Sequence, residues 1–534
     1  MSEITEQLEA TEVLDAEELE ALLRPLYEYG VNKKITDGSY DKSLGVRCIN
    51  GTFVGRKTEN VIAYKGIPFV GRQPVGDLRW KAPVDCIADD GVYEAYYNAN
   101  SPFQNVFYDE LPAYEQGEDC LYLDIWKADE ASEEKKPVMV WIHGGAFEAG
   151  TTAYPPFECH NFVKENPEVI IVSIAYRLGV FGFFHLSHLP DGKDYPDAQN
   201  LGLMDQMMAL KWVHENIAGF GGDPDNVTIW GESAGAASVT LLPLIESSRE
   251  YFKRVIAHSG SPIMTRSTEE AIGCTDELMD ALGCKTVADL QKVDVHKLVE
   301  ASTMLVIRVD PERDGNYLPL DPFAAYAKGA AKDIEFLQGC MKKEFTYFEL
   351  IMGEEGFKTW AADRKKRILD KLPDEEKELV LSFCNDVKGE GNIPESRLFD
   401  QAWFNVPVIR LSESQAMNGG KSYTYYFTAE PGHGEELLAV FNHQEMAEMY
   451  EGRVFDETFA RTMRRMWVQF AKTGNPSLNA DNSPEGKANE WPPYDQENRH
   501  VMIFDEFDIH PEKETGRKMV DWDRTCFLPD YLCW

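Results

Sequence analysis

Ser233 stands between two glycines, in Gly231-Glu232-Ser233-Ala234-Gly235, where the β-like run "NVTIW" gives way to the helix-like run "AASVT". Gly-x-Ser-x-Gly at a strand-to-helix junction lifts a hydroxyl above the edge of a sheet, ready to attack a carbonyl carbon. The same five residues also describe a tight turn with an incidental serine. What separates the two readings is company. A serine hydroxyl is a weak nucleophile near neutral pH and needs an adjacent base, itself oriented by a carboxylate. Behind such an elbow the chain order is serine, acid, histidine.

His258, His296, His433, His443, His500 and His510 all follow Ser233. His433 is set apart by "EPGHGEEL", a Pro/Gly-rich loop directly after the strand-like "SYTYYF", from which an imidazole can reach a neighbouring strand's end. His443 is the second choice, but "AVFNHQEMAEMY" reads as a helix start, where a surface or capping role is expected. The acid must lie between Ser233 and His433 and follow a central strand. Glu344 does so, after "DIEFLQG". Asp314 competes from the turn-like "RDGNYLP", which precedes that strand. Asp205 lies upstream in a helical stretch and fits neither the order nor the geometry. A lone loop glutamate is ordinarily just solvated; only membership of a set of three raises Glu344 above that.

The fourth requirement is a cradle of N–H donors for the charge that develops on the carbonyl oxygen. "WIHGGAF" follows another strand-like run and offers small residues that let the backbone approach closely. Gly145 and Ala146, with Ala234 after the nucleophile, are the expected donors, in the manner of an HGGG-type loop.

The elements that must position these groups are strands alternating with helices. "PVMVWIHGG" (137–145) and "EVIIVSIAY" (168–176) are short β-branched runs suited to burial on both faces, and "MDQMMALKWVHENI" (204–217) has helical spacing. "YFKRVIAHSGS", "DIEFLQG" and "SYTYYF" read as later strands, 266–300 and 353–390 as charged helical insertions, and 457–474 as a closing helix. The rhythm implies a mostly parallel sheet covered on both sides, with all four chemical pieces converging at its carboxyl edge, where open α/β sheets bind ligands. The expected organisation is an acidic helical extension over residues 1–45 and one α/β domain over 46–534.

The 534 residues carry 53 Lys and Arg against 91 Asp and Glu, a formal charge of −38, which speaks against nucleic acid and anionic membranes as partners. The N-terminus, "MSEITEQLEATEV", has neither the basic nor the apolar part of a secretory signal. No run reaches the roughly 18 apolar residues of a membrane helix. The ten cysteines form no CxxC pair and no cluster with histidines, so neither zinc nor any other cofactor is expected. In a long chain without a signal they are expected to be mostly reduced, and the location cytoplasmic. The aromatic-rich segment 91–114 reads as a pocket wall or lid, or as ordinary core packing.

Long stretches now agree with one another: "PVGDLRWKAP", "EDCLYLDIW", "VWIHGGAF", "YRLGVFGFF", "NLGLMDQMMALKWVHENIAGFGGDPDNVTIWGESAGAAS", "SGSP", "HGEEL" and "FAKTGNPS". Through them the chain, over about residues 45 to 510, resembles the type-B carboxylesterase/lipase family of cholinesterase-like α/β-hydrolases. The resemblance implies a metal-free serine ester hydrolase acting on small-molecule esters through an acyl-enzyme. It implies Ser233 as nucleophile, Glu344 as acid, His433 as base, and Gly145, Ala146 and Ala234 as oxyanion donors. Glu232 takes the place of the family's glutamate that adds negative potential beside the nucleophile. An interfacial lipase and a non-catalytic adhesion protein are the alternatives; the latter usually lacks a triad member, and this chain keeps all three.

Three departures accompany the resemblance. Ser101, in "NSPFQN", stands where secreted members usually have the cysteine that bonds the one in "EDCL", and Cys284 lacks its usual downstream partner. Both point to a reducing compartment and a bacterial-type intracellular enzyme. Ala146 stands where many relatives have glycine, which bears on how bulky an alcohol the site admits.

Overall fold

The β-branched and aromatic runs pair into one mixed sheet. The computed structural model describes residues 30–513, apart from 105–114, 131, 133, 372–373, 375–376, 379–393, 430–431 and 445–453. Among the described residues the main sheet has eleven strands. In chain order they are β1 (Arg56–Thr58), β2 (Val61–Pro68), β3 (Tyr122–Ala128), β4 (Lys136–Ile142), β5 (Ile170–Ile174) and β6 (Gly222–Glu232). They continue with β7 (Arg254–His258), β8 (Glu335–Met341), β9 (Ser422–Phe427), β10 (His500–Asp505) and β11 (Asp508–Lys513). Across the sheet the order is β11-β10-β9-β8-β7-β6-β4-β5-β3-β2-β1. Every pairing from β10 to β5 is parallel, and antiparallel strands finish both edges.

Successive strand residues point to opposite faces, so the inner strands divide their side chains between two apolar clusters. On β4, Val138, Val140 and Ile142 enter one cluster while Met139 and Trp141 enter the other. Helices α1 (Leu201–Asn216) and α2 (Ala234–Leu241) cover the first face through Leu210, Trp212, Ala237 and Leu241. The second face takes Met463, Met466, Trp467 and Phe470 from the closing helix Glu457–Thr473. That helix begins where the Asp456 side chain accepts the Phe459 N–H and ends at Gly474, whose φ of 73° suits a residue without Cβ. Outside the sheet, the charged stretches hold α3 (Thr268–Leu282) and α5 (Glu354–Lys371), and the apolar α4 (Phe345–Met352) precedes the second of them. A capping box formed by Ser267 and Glu270 opens α3.

Residues 1–29 of the expected helical extension lie outside the described residues. Residues 30–44 form no α-helix: the segment is mostly irregular, with a bridge at Lys34 and a single 3-10 turn at Lys42–Leu44. Its Lys34 bridges Tyr93, and the Asn32 amide donates to the carbonyls of Lys65 and Tyr97. Partners far along the chain hold this segment against the folded domain, which its own composition does not reveal. No described helix is long and apolar enough to cross a membrane. No disulfide joins any two of the seven described cysteines, while Cys384, Cys526 and Cys533 fall outside the described residues.

Candidate active site

Four loops leave the carboxyl ends of neighbouring parallel strands: 143–147 after β4, Ser233 after β6, 342–344 after β8 and 432–435 after β9. The parallel register therefore gathers, at one edge, groups that lie far apart in the chain.

Between β6 and α2 the backbone turns sharply, and Ser233 takes φ 53° and ψ −120°. A side-chain-bearing residue at positive φ carries strain of order 1–3 kcal/mol. The surroundings hold it there. The Ser233 N–H donates to the His258 carbonyl at 2.9 Å, and the Ser233 carbonyl accepts from Ala237 N at 2.8 Å. A Cβ on Gly231 would sit 2.6 Å from the Ile142 carbonyl, and one on Gly235 only 2.0 Å from it. Both glycines of the elbow are thus required by the close approach of β4, which the bare five-residue pattern cannot show.

Glu344 is fully buried just ahead of α4. Its Oε1 accepts the Met341 N–H at 2.7 Å, and its Oε2 lies 2.6 Å from His433 Nδ1. An ionised carboxylate can only accept, so Nδ1 carries the proton and Nε2 is left as the basic nitrogen. The imidazole is walled by Phe404, Phe348 and Tyr347, with ring centroids at 4.9, 5.4 and 6.2 Å. Its Nε2 makes no hydrogen bond of good geometry among the described residues and lies 3.1 Å from Glu232 Oε1.

Burial pushes the Glu232 carboxyl above its ordinary value; the His433 charge opposes this, and the Glu436 and Glu344 carboxylates add to it. For His433, burial works against the charged form. The carboxylates of Glu232, Glu344 and Glu436 outweigh that and hold the imidazolium above its usual range. The base therefore becomes neutral only at a higher pH than an isolated histidine would.

The loop after β4 is shaped by groups that the sequence reading passed over. His143 is fully buried, stacks on Tyr176 at 4.5 Å, and approaches the Gly144 carbonyl through Nδ1 at 2.9 Å. Burial lowers its pKa to about 4, so it is neutral. The Tyr176 hydroxyl donates to the His143 carbonyl at 2.9 Å. A Cβ on Gly144 would meet Glu232 Oε2 at 2.7 Å. Gly145 and Ala146 both have positive φ, 103° and 55°. Among the described residues no backbone carbonyl takes the N–H of Gly145, Ala146 or Ala234. The only legible signal for His143 and Tyr176 was their place at the ends of two strands.

The rival residues have other work. Asp314 accepts the N–H groups of Asn316, Tyr317 and Leu318 and organises a turn. His443, expected at the surface of a helix start, is instead buried just past a short helix, with Nε2 2.7 Å from the Glu158 carbonyl. Packing of that loop against the chain ahead of residue 160, far away in sequence, overrides the local pattern. Asp205 forms a buried two-pronged ion pair with Arg177, each contact at 2.7 Å. His258 lies beneath the elbow, accepting from Trp467 Nε1 at 2.8 Å. Of the aromatic segment, Phe103 packs on Phe181 and His296, and Tyr93 on Phe53, while Phe107, Tyr108 and Tyr114 fall outside the described residues.

Comparison with known proteins agrees in every direction. The Carboxylesterase family profile matches residues 42–518. The para-nitrobenzyl esterase of Bacillus subtilis (strain 168) is 33% identical over 503 residues, covering 88% of this chain and 97% of that protein. Mouse cholinesterase is 31% identical over 486 residues, covering 81% and 77%. The crystal structure of Geobacillus stearothermophilus carboxylesterase EST55 at pH 6.2 superimposes with a TM-score of 0.77 at 33% identity, covering 88% of this chain and 98% of that one. With an α/β-hydrolase sheet, and relatives of this similarity along nearly its whole described length, the chain belongs to the carboxylesterase family and is a carboxylic-ester hydrolase.

Proposed function

We propose that hydrolysis proceeds through an acyl-enzyme on Ser233, with His433 as base and Glu344 as the group that orients it. The observation carrying this reading is the 2.6 Å contact between Glu344 Oε2 and His433 Nδ1, at the same sheet edge as a serine held at positive φ. In the first half-reaction Ser233 Oγ attacks the ester carbonyl while its proton passes to His433 Nε2. The N–H groups of Gly145, Ala146 and Ala234 hold the oxyanion, each donor being worth roughly 10²–10³ in rate. The proton then goes to the leaving alkoxide. In the second half-reaction His433 activates water, and the acid departs. Glu232 supplies negative potential that favours the imidazolium form of His433 in both transition states. The test is covalent: a fluorophosphonate should label Ser233, and labelling elsewhere with activity lost would redirect the assignment.

The substrate class proposed is a small soluble ester, the catalytic unit is residues 46–534, and the location is cytoplasmic. Cys120 is buried and unbonded, and Ser101, at the place of its usual partner, bonds Thr151 Oγ1 at 2.8 Å. Thiol counting under denaturant should find most of the ten cysteines free.

One observation favours the lipase alternative. On α4, whose Tyr347 and Phe348 wall the imidazole, Leu350, Ile351 and Met352 are exposed. An apolar lip beside the site suits an oil surface. Activity that jumps above substrate solubility would support it; simple saturation on a soluble ester supports the esterase.

A further inference from the structure

A second serine–histidine–glutamate set lies away from the sheet edge, in the loop "FFHLSHL" that follows β5. Ser187 Oγ is 3.0 Å from His185 Nε2, and His185 Nδ1 is 2.8 Å from Glu312 Oε2. Glu312 is 127 residues further along the chain and its side chain is 1% exposed, that of His185 9%. Ser187 itself is exposed.

The set is built rather than incidental. Glu312 Oε1 accepts from Thr268 Oγ1 at 2.6 Å. The Glu312 backbone is pinned in both directions by Asn200, whose Oδ1 accepts its N–H at 2.8 Å and whose Nδ2 donates to its carbonyl at 3.0 Å. The His185 carbonyl accepts from Thr275 Oγ1 at 2.7 Å. Burial opposes ionisation of Glu312, but the bonds from His185 and Thr268, with the charge of Arg266, keep its carboxyl below the usual range. An ionised Glu312 fixes the proton on Nδ1, leaving Nε2 as an acceptor aimed at an accessible hydroxyl. His188, paired with Asp276 at 3.0 Å, sits on one side with its ring tilted 42° to the His185 ring at 5.3 Å.

We propose that Ser187 is a second acyl-accepting serine of this protein, taking acyl groups from activated aryl carboxylic esters with His185 as its base. Ser187 Oγ attacks the carbonyl carbon and forms the new C–O bond. The bond to the aryl oxygen breaks, and its electron pair leaves with the phenolate. The serine proton moves to His185 Nε2 and then to the phenolate. Ser187 has neither the positive φ nor the strand-to-helix elbow of Ser233, so the product is a persistent acyl-serine, one group per chain, without turnover. Nothing in this depends on the role of Ser233.

The test uses full-length Ser233→Ala protein incubated with 4-nitrophenyl acetate, reading nitrophenol release and the acetylated peptides by mass spectrometry. Release beyond one equivalent per chain that persists when Ser187→Ala is added to Ser233→Ala would instead count against Ser233 as the hydrolytic nucleophile, whereas excess release that Ser187→Ala stops would overturn the persistent adduct. Ser187 should be acetylated on the order of 10²-fold faster than the exposed Ser39 and Ser132, which have no imidazole partner, as expected for a positioned general base. His185→Gln should bring Ser187 down to their level, Glu312→Gln should slow it, and Ser187→Ala should abolish the adduct at that peptide. Labelling of Ser187 no faster than Ser39, or unchanged in both His185→Gln and Glu312→Gln, would overturn the proposal.

Discussion

His433, at the sheet edge that carries Ser233, and His185, beside Ser187, are each bonded to a buried glutamate. The pair around Ser187 is the more complete as a hydrogen-bond chain: serine to imidazole at 3.0 Å, imidazole to carboxylate at 2.8 Å. Around Ser233 the imidazole–carboxylate contact is shorter, 2.6 Å, but Nε2 of that imidazole faces Glu232 and makes no well-aligned bond. Yet only Ser233 has the strained elbow, the first N–H of a helix beside it, and a loop of small residues at positive φ across from it. The difference separates nucleophile activation from charge stabilisation. A base–acid pair makes a serine reactive; a preorganised set of donors aimed at the developing oxyanion makes it turn over.

The largest effect expected from this contrast is at the two hydroxyls. Ser233→Ala should lower kcat on a soluble aryl ester by on the order of 10⁶, whereas Ser187→Ala should leave kcat within about two-fold, outside the acting unit. Steady-state kinetics on both folded proteins check this, and comparable losses would erase the distinction.

Next come the partners. His433→Ala should lose nearly as much as Ser233→Ala, while Glu344→Gln should cost roughly 10⁴, because the acid orients the base without bonding to substrate. His185→Gln and Asp314→Asn should keep kcat/KM close to wild type. His443→Gln should lower Tm with little change in kcat/KM, since its ring nitrogen bonds the Glu158 carbonyl and not the reacting groups. An essential Asp314 or His443 would break the proposed triad.

The smallest effect is in pH. His433 must be neutral to accept the serine proton, and its carboxylate neighbours hold it above the ordinary value, so kcat/KM should rise with pH along a limb centred above about 6.5. Glu232→Gln removes one of the negative charges that favour the imidazolium, so the midpoint should move down, by roughly one pH unit. A midpoint that stays put or rises would mean that Glu232 does not act on His433 through its charge.

Local rules carried the fold a long way. β4, β5 and β8, α1 and the closing helix were legible because short, mainly apolar runs and 3.6-residue spacing leave few other solutions for a chain this long. Ser233, Gly145 and Ala146 were legible because the turns they occupy constrain neighbouring residues. Glu344 and His433 could be chosen from chain order and from the strands that precede them, each with a rival. What could not be read was facing. Gly231 and Gly235 are required by the Ile142 carbonyl on another strand. His143 needs Tyr176, 33 residues away, and Arg177 needs Asp205, 28 residues away. The short sequence "HLSH" says nothing of Glu312. By itself the sequence determined which segments become strands and helices, and which residue types stand at their ends, because those depend on neighbours within a few positions. Only the tertiary structure decided which carboxylate meets which imidazole and how strongly burial tunes each pair, because desolvation and contact arise where distant segments close on one another.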